Sequence, residues 1–297
     1  MTKILEKTKD IELVIKPPAP SFVGDGFFIH KFFPRNVLID DSRMSPFWLM
    51  DYNAKIEFSP SEKPRGVSVH PHRGMETVSI AYEGKIEHHD SEGNHGIIGE
   101  GDVQWMTAGS GILHKEYHEK EFSKKGGFFH MVQLWVNLPS KYKMTKPKYQ
   151  SLLHENMGKY ILENNSGIVN IIAGEYNRVK GPASTFTPIN LFDIKLNNKG
   201  LVNLSFPENY NTGILIAKGK VKINNSTEIT VDNFILFKNE GTNIQIEALE
   251  ESILLVLNGE PINEPNVPHG PFLMNTVEEI QKALSDFNDG KFGYLED

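Results

Sequence analysis

The chain has 297 residues, enough for two domains of ordinary size. Its net charge of −7 and its lack of any dense run of Lys and Arg argue against a surface that binds nucleic acid. It contains no cysteine, which excludes disulfides, thiolate nucleophiles and zinc–thiolate sites and fits a reducing compartment.

The N-terminal residues carry no export signal. Residues 1–16 interleave charged and apolar side chains and lack the continuous apolar stretch of a signal peptide. No segment of the sequence approaches the roughly 20 apolar residues that a membrane-spanning helix needs. We therefore expect a cytoplasmic protein that neither enters a membrane nor binds nucleic acid directly.

Short β-rich runs separated by turn residues make up most of the chain. Examples are Phe27–Ile29, Val78–Tyr82, Val132–Val136, Gly213–Ala217 and Ile253–Leu257. This spacing is typical of an all-β sandwich or barrel rather than of βαβ units. The clearest hairpin turn is Asp90–Asn94, which is rich in residues that favour turns.

A basic segment bounded by prolines divides the chain. Pro139–Lys148 lacks apolar periodicity, and we interpret it as the linker between an N-terminal domain over residues 1–140 and a C-terminal domain over residues 141–297. The two halves resemble degenerate copies of each other. Glu83–Ile86 follows a strand in the first half, and Lys218–Val221 follows one in the second.

One helix is predicted near the C-terminus. Thr276 and Glu279 form a capping-box pattern, and Gly290 is placed to end the helix. The apolar residues on one face are Ile280, Leu284 and Phe287. We expect a short structural helix packed on a barrel.

Potential metal ligands are concentrated in the first half, because seven of the 11 histidines lie between His70 and His118. Two short patterns place potential ligands two residues apart: His70 with His72, and His114 with Glu116. Residues two apart on a strand point to the same face. Two such strands facing each other across a barrel would aim three imidazoles and one carboxylate at a single point.

This donor set favours a first-row transition metal. It offers neither the all-oxygen shell of calcium or magnesium nor the thiolates of structural zinc. Four protein ligands on an octahedral ion leave two positions for substrate, dioxygen or water. We expect one Fe(2+) per chain, with Mn, Ni, Cu, Co or Zn able to occupy the site in vitro.

The second half lacks the same donors. Aligning the hairpins at Gly84 and Gly219 puts Ser205 and Pro207 at the positions of His70 and His72. Aligning Asp102 with Asp232 puts Ile244 and Ile246 at the positions of His114 and Glu116. We therefore predict no metal in the C-terminal domain.

The other polar residues of the first half receive plainer interpretations. His130 begins a strand and is a candidate for a buried position. Gln133 on the same strand is a candidate for the pocket wall. The histidines expected to be solvated, in a polar hairpin or a charged run, are His88, His89, His95 and His118.

These motifs resemble those of the pirin family, whose members are two-barrel proteins of the cupin superfamily. His70–Val78 is similar to the first metal motif of the family, and Gly101–Glu116 is similar to its second. Further similarity lies in Gly24–Phe27, Gln133–Pro139 and Gly270–Thr276, so the resemblance covers nearly the whole chain.

The resemblance implies two tandem cupin (jelly-roll) β-barrels and one mononuclear non-haem iron in the N-terminal barrel. It implies the ligand set His70, His72, His114 and Glu116, in agreement with the spacing. Some pirins cleave the flavonol quercetin with dioxygen, and others are regulators that bind protein partners. We expect a dioxygenase acting on a flavonol-like small molecule and O2, with Glu116 as the general base.

Two alternatives remain open. The iron could instead serve a redox-sensing regulator that binds a protein partner without turnover, or a different small-molecule reaction, since cupins host many chemistries.

Glu76 lies four residues after His72, where typical single-domain cupins place their metal-binding Glu, although the pirin pattern assigns that role to Glu116. Met75 stands where the family usually has Phe, and a flexible thioether there could reshape the pocket wall.

Overall fold

The structure is a computed structural model that describes residues 7–297. Its strands up to residue 152 are β1 (Ile11–Ile15), β2 (Ser21–Val23), β3 (Phe27–Phe33), β4 (Phe47–Phe58), β5 (Gly66–His72), β6 (Met75–Glu83), β7 (Ile86–Asp90), β8 (His95–Ile98), β9 (Val103–Thr107), β10 (Ile112–His118), β11 (Gly127–Asn137) and β12 (Lys148–Leu152).

The strands after residue 152 are β13 (Gly158–Leu162), β14 (Gly167–Ala173), β15 (Glu175–Tyr176), β16 (Val179–Lys180), β17 (Ile189–Leu196), β18 (Leu201–Ser205), β19 (Asn211–Lys218), β20 (Lys220–Ile223), β21 (Thr227–Thr230), β22 (Phe234–Phe237), β23 (Asn243–Ala248), β24 (Ser252–Gly259), β25 (Val267–His269) and β26 (Phe272–Met274). The α-helices of the described chain are α1 (Lys120–Lys125) and α2 (Val277–Asn288). The predicted all-β class is confirmed.

The chain forms two compact units, each built from one small and one large antiparallel sheet. The first barrel comprises Pro18–Pro34, Pro46–Glu155 and Ile262–Asp297. The second barrel comprises residues 7–17, Arg35–Ser45 and Asn156–Pro261. Each barrel therefore takes segments from both sides of residue 140, where the sequence predicted a domain boundary.

The two barrels share one topology. The small sheet has the order β5–β10–β7–β8 in the first barrel and β18–β23–β20–β21 in the second. The large sheets are β12–β9–β6–β11–β4–β3–β2 and β1–β22–β19–β24–β17–β14–β13. The predicted internal repeat is therefore present as a repeated order of strands.

The edge of each large sheet explains the interleaved boundaries. In the second barrel the edge strand β1 comes from the N-terminal segment and pairs with β22. In the first barrel the edge strand is β12, which pairs with β9 and begins at the end of the segment interpreted as a linker. Each large sheet is completed by a strand from outside its repeat. No single point in the chain therefore separates the two barrels.

Lys143 ties the predicted linker into the first barrel. It is fully buried, and its Nζ donates to Gly74 O at 2.8 Å, Asn137 Oδ1 at 2.6 Å and Leu273 O at 2.7 Å. Burial lowers the pKa of Lys143 to about 7. The basic composition of the segment suggested solvation, but three acceptors of the first barrel satisfy this lysine instead: Gly74 O, Asn137 Oδ1 and Leu273 O.

The interiors of the two barrels differ in polarity. The second barrel is filled by an apolar cluster to which β18 contributes Val202 and Leu204 and β23 contributes Ile244 and Ile246. The first barrel has its own apolar cluster around Phe58 and Phe129, but the equivalent strands β5 and β10 carry His and Glu. Barrels of the same topology thus enclose different chemistry.

The C-terminal helix forms as predicted. Thr276 is its N-cap, its side chain accepts from the Glu279 N–H, and the Glu279 side chain returns to the Thr276 N–H. Ile280 is buried, as expected for the apolar face. No helix within residues 7–297 is long and apolar enough to cross a membrane.

A glycine shapes the turn that follows the ligand strand β5. Gly74 has φ = +82°, a conformation that side chains with a Cβ rarely adopt. A Cβ at this position would lie 2.1 Å from Leu273 O. The close approach of β26 therefore requires glycine directly after His72 and Arg73.

Candidate metal centre

The four predicted ligands lie on two neighbouring strands. His70 and His72 are on β5, His114 and Glu116 are on β10, and these strands pair antiparallel with His114 opposite His70. The expectation that the two strands face each other across the barrel is wrong, since they are hydrogen-bonded members of the small sheet. A register shift between His114 and Glu116 adjusts the pairing at this point.

The side chains converge on His114. Ring nitrogens of His70, His72 and His114 lie within 4.8 Å of one another, and an overlapping group joins His114 to Glu116 and His88 within the same distance. The imidazole centroids of His70 and His72 lie 4.2 and 4.8 Å from that of His114. The structure thus brings all four predicted residues together.

The hydrogen bonds of the three imidazoles fix which nitrogen is available to a metal. His70 Nδ1 lies 2.8 Å from Ser68 O and His72 Nδ1 lies 3.2 Å from Pro271 O. A carbonyl oxygen only accepts, so both rings carry their proton on Nδ1 and present a lone pair on Nε2.

His114 completes this arrangement. Its Nδ1 lies 3.5 Å from His88 Nδ1, whereas its buried Nε2 has no hydrogen-bond partner among residues 7–297. A buried nitrogen without a partner is costly unless something else binds it. The donor set and this nitrogen both fit a bound metal ion.

Burial keeps the central imidazoles neutral. Desolvation, followed by the neighbouring His70, lowers the pKa of His72 to about 3. The same causes, together with His72 and His88, hold the pKa of His114 well below its usual value. Neutral imidazole is the form that binds a metal.

The large sheet holds the Glu116 carboxylate in place. Gln133 Nε2 donates to Oε2 at 2.7 Å, Ser79 Oγ donates to Oε1 at 3.1 Å, and Gln104 Nε2 lies 3.4 Å from Oε1. These donors come from β11, β6 and β9 respectively. The expectation that Gln133 faces the pocket is confirmed.

His88 is a residue of the candidate site that the sequence interpretation missed. It was expected to be solvated, but it is fully buried, and its Nε2 lies 3.3 Å from Asp90 Oδ2. Gln104 Nε2 lies 3.1 Å from its Nδ1, the atom that also faces His114. When His88 Nε2–H donates to Asp90, His88 Nδ1 accepts from Gln104 and His114. This contact with His88 orients the His114 ring.

Strand alternation could have identified this residue. His88 has the same parity on β7 as Ile86 and Asp90, and all three are buried. The solvated interpretation of His118 is also wrong, since its Nε2 donates to Gly26 O at 2.7 Å and burial lowers its pKa to about 4. His130 is buried, as its strand position allowed.

Glu76 lies apart from the convergent donors. It belongs to neither of the two groups around His114 in the described part of the chain. Thr107 Oγ1 donates to its Oε1 at 2.7 Å, and burial raises the pKa of Glu76 to about 7. Met75 beside it is buried and is absent from the cavity wall.

A cavity of about 390 Å³ opens beside His70, His72 and Glu116. Most of its wall is apolar, formed by Phe27, Ile29, Leu49, Val67, Met131 and Trp135. The Trp135 ring packs edge-on against His72 with 5.1 Å between centroids. The polar residues of the wall besides the predicted ligands are Lys31, Asp51 and Gln133.

The polar wall residues belong to a row that crosses the large sheet. Cross-strand pairing places Lys31 beside Asp51, Asp51 beside Gln133, Gln133 beside Ser79 and Ser79 beside Gln104. The row therefore begins in the cavity and ends at the donors that hold Glu116. No short motif links these residues, because each comes from a different strand.

Asp51 is the unsatisfied member of this row. It is 8% exposed, and its Oδ1 has no hydrogen-bond partner among the residues that the structure describes. Burial raises the pKa of Asp51 to about 6, against the opposing effect of Lys31. Asp51 thus places a carboxylate with one unpaired oxygen in the cavity wall.

Comparison with known proteins gives one family match in each half of the chain. The profile of the pirin family matches residues 32–136, and that of the pirin C-terminal cupin domain matches residues 191–293. The chain belongs to the pirin family. The two-barrel cupin fold expected from the resemblance is thereby confirmed, with a pirin domain followed by a second cupin domain.

Several pirin relatives are similar along most of their length. A Pseudomonas aeruginosa protein provisionally named a quercetin 2,3-dioxygenase is 43% identical over 91% of this chain and 94% of its own. Human pirin is 37% identical over 84% of each chain. A crystal structure of a quercetin 2,3-dioxygenase from Acinetobacter baumannii is 43% identical, covers 98% of this chain and 100% of its own, and superposes with a TM-score of 0.92.

Proposed function

We propose that the first barrel binds one Fe(2+) ion through His70, His72, His114 and Glu116, and that the protein cleaves a flavonol or related enol with dioxygen. The proposal is carried by two overlapping groups of donors beside a largely apolar cavity: His70, His72 and His114 form one, and Glu116 joins His114 in the other. The similarity to the Acinetobacter quercetin 2,3-dioxygenase supports the reaction class.

Iron is proposed on the family resemblance, because the donor set alone does not select one divalent metal. Three neutral imidazoles and one carboxylate suit divalent first-row metals, and Mn, Ni, Cu, Co or Zn are expected to bind in vitro. When bound, such an ion supplies a Lewis acid that lowers the pKa of a chelating enol and a template that aligns the reactants. The protein determines which substrate reaches it.

The cavity suits a flat and mostly apolar substrate. Its volume of about 390 Å³ lies within the range of small-molecule sites. Phe27, Leu49 and Trp135 offer apolar surface to aromatic rings, whereas the Asp51 carboxylate in the cavity wall offers an acceptor to a phenolic hydroxyl. A polyhydroxylated flavonol would use both kinds of contact.

Glu116 is the proposed general base. It lines the cavity and is held by donors from Gln133, Ser79 and Gln104. These donors orient the carboxylate, which accepts the proton from the reacting substrate hydroxyl.

The decisive experiment is a turnover assay. Protein loaded anaerobically with Fe(II) is mixed with quercetin and dioxygen, and we expect loss of flavonol absorbance together with release of carbon monoxide. His72→Ala should lose metal binding and turnover, whereas His154→Ala, a change outside both groups around His114, should lose neither.

Absence of both signals from an iron-loaded protein would overturn the proposal for this substrate. An iron-loaded chain whose affinity for a protein partner differed between its Fe(II) and Fe(III) forms, without turnover, would favour the regulatory alternative.

A further inference from the structure

The outer face of the β7–β8 hairpin carries a second set of metal-type donors. On β7, His88 and Asp90 point into the barrel, whereas Glu87 and His89 alternate with them and are partly exposed. His89 is the cross-strand partner of His95 on β8. Two imidazoles and one carboxylate therefore meet on the side of β7 opposite to His88.

The three side chains already form a compact cluster. Glu87 Oε1 lies 3.1 Å from His89 Nε2 and 3.0 Å from His95 Nε2. The two imidazole rings stack with 4.3 Å between centroids and 26° between planes. One ligand atom from each of the three residues lies within 4.8 Å of the others.

These distances fit a metal ion. An ion with bonds of about 2.0 to 2.2 Å holds its donor atoms about 3 to 3.5 Å apart. The carboxylate oxygen is at that spacing from both nitrogens, so only small side-chain rotations are required. Side-chain exposures of 26%, 38% and 50% for Glu87, His89 and His95 leave room for water to complete the coordination.

Binding requires a lone pair on Nε2 of each imidazole. In the metal-free cluster each ring donates its Nε2–H to Glu87. To bind a metal through Nε2, each ring presents that nitrogen without its proton, which solvent accepts. The partial exposure of both rings gives solvent access to them.

We propose that Glu87, His89 and His95 form a second divalent metal site, distinct from the centre around His114. Two imidazoles and one carboxylate favour Zn(II), Ni(II) or Cu(II) over Mn(II) or Fe(II). Because the site is partly exposed and supplies three protein ligands, it exchanges metal with solvent more readily than the buried centre does. The protein thus binds up to two ions per chain.

Zn(II) is a suitable probe for this site. After equilibrium dialysis of metal-free protein against Zn(II), elemental analysis should find two ions per chain in the wild type and one in the His89→Ala/His95→Ala double variant. The His70→Ala/His72→Ala double variant should also retain one. His154→Ala, which changes a histidine outside both sites, should retain two.

Glu87→Gln provides the conservative variant, since it keeps the side-chain shape but loses the charged ligand. We expect its affinity for the second Zn(II) to fall about tenfold or more, with the first unchanged. Circular dichroism checks that each variant is folded.

Two ions in the folded His89→Ala/His95→Ala variant would overturn the proposal, as would a single ion in the wild type. Loss of both ions from that variant would overturn the independence of the two sites. Because Zn(II) stoichiometry involves no turnover, these outcomes are independent of the proposed dioxygenase activity.

Discussion

At the scale of single residues, Asp51 in the cavity wall is a buried carboxyl group that lowers the stability of the folded protein at neutral pH. Asp51 is buried with one oxygen unpaired, and its pKa is raised to about 6 from an ordinary value of 3.8. A raised pKa means that the folded protein binds this proton more tightly than the unfolded chain does. The stabilisation is complete below about pH 4 and is lost as the pH rises through about 6.

Asp51→Asn should therefore stabilise the protein at high pH and weaken ligand binding. A shift of about two pH units corresponds to at most about 3 kcal/mol of unfolding free energy. We expect a gain of this order at pH 8 that disappears near pH 4, measured by urea unfolding of both proteins. Titration of the histidines contributes equally to the unfolding free energies of the wild type and the variant, so it cancels when one is subtracted from the other. A difference independent of pH would contradict the assigned pKa.

The same variant tests the role of Asp51 in binding. Quenching of tryptophan fluorescence measures ligand binding, because Trp135 lines the cavity. We expect weaker binding of quercetin and little change for a flavonol that lacks the hydroxyl contacting Asp51. Equal losses for every flavonol in a series of single-hydroxyl deletions would contradict a specific hydrogen bond.

His88 should control metal affinity without being one of the four ligands. His88→Leu removes the acceptor that faces His114 Nδ1, and the loss of such a contact typically costs 10- to 100-fold in affinity. Competition with a coloured chelator measures this change. His118→Leu is the matched control: it also removes a buried histidine, but one bonded to Gly26 O. Equal affinities in the two variants would contradict the role of His88.

At the scale of secondary-structure elements, strands and helices hold the ligand strand in place from outside. Arg73, next to His72, pairs with Asp286 of α2 at 3.0 Å and donates to Ser110 O at 2.7 Å. Hydrogen bonds from Lys291, Arg73 and Lys282 hold the pKa of Asp286 below its usual range. The C-terminal helix thus contributes a charged contact beside the metal centre.

Thr276→Ala should weaken this helix. It removes the N-cap acceptor and half of the capping box, which costs about 1 kcal/mol. Chemical unfolding measures the loss. Ser285→Ala, an exposed change in the same helix, should alter stability by less than about 0.5 kcal/mol. A similar effect of both substitutions would show that the cap contributes nothing specific.

At the scale of the whole molecule, one topology appears twice with different interiors. The first barrel has imidazoles and carboxylates on β5 and β10, whereas the second has Val202, Leu204, Ile244 and Ile246 on the equivalent strands. The sequence alignment of the halves predicted that the second barrel binds no metal. The structure supplies the physical basis for this prediction, an interior of packed apolar side chains.

Metal should therefore protect one barrel selectively. An ion at 100 times its Kd stabilises the folded state by about 2.7 kcal/mol. Hydrogen–deuterium exchange with mass spectrometry should show slower exchange in β5 and β10 on adding metal, and unchanged exchange in β18 and β23. Equal protection of both pairs of strands would contradict the prediction that the second barrel lacks a site.

The sequence by itself determined the class of fold, the capped C-terminal helix and the four residues that converge. Each of these depends on local information: alternation on a strand, spacing on a helix, or a long family motif. His70 with His72, and His114 with Glu116, share strand faces wherever the strands lie. Local pattern therefore predicted the candidate ligand set, although the arrangement of its two strands was wrong.

Tertiary structure alone decided the surroundings of these residues. The pairing of β5 with β10, the interleaved boundaries and the polar row from Lys31 to Gln104 all depend on which distant strands become neighbours. Alternation gives His88 the parity of the apolar Ile86 and the opposite direction to His89, but the contact of His88 with His114 depends on the pairing of β7 with β10. The physical reason is that burial is a property of the packed barrel, whereas periodicity is a property of the strand.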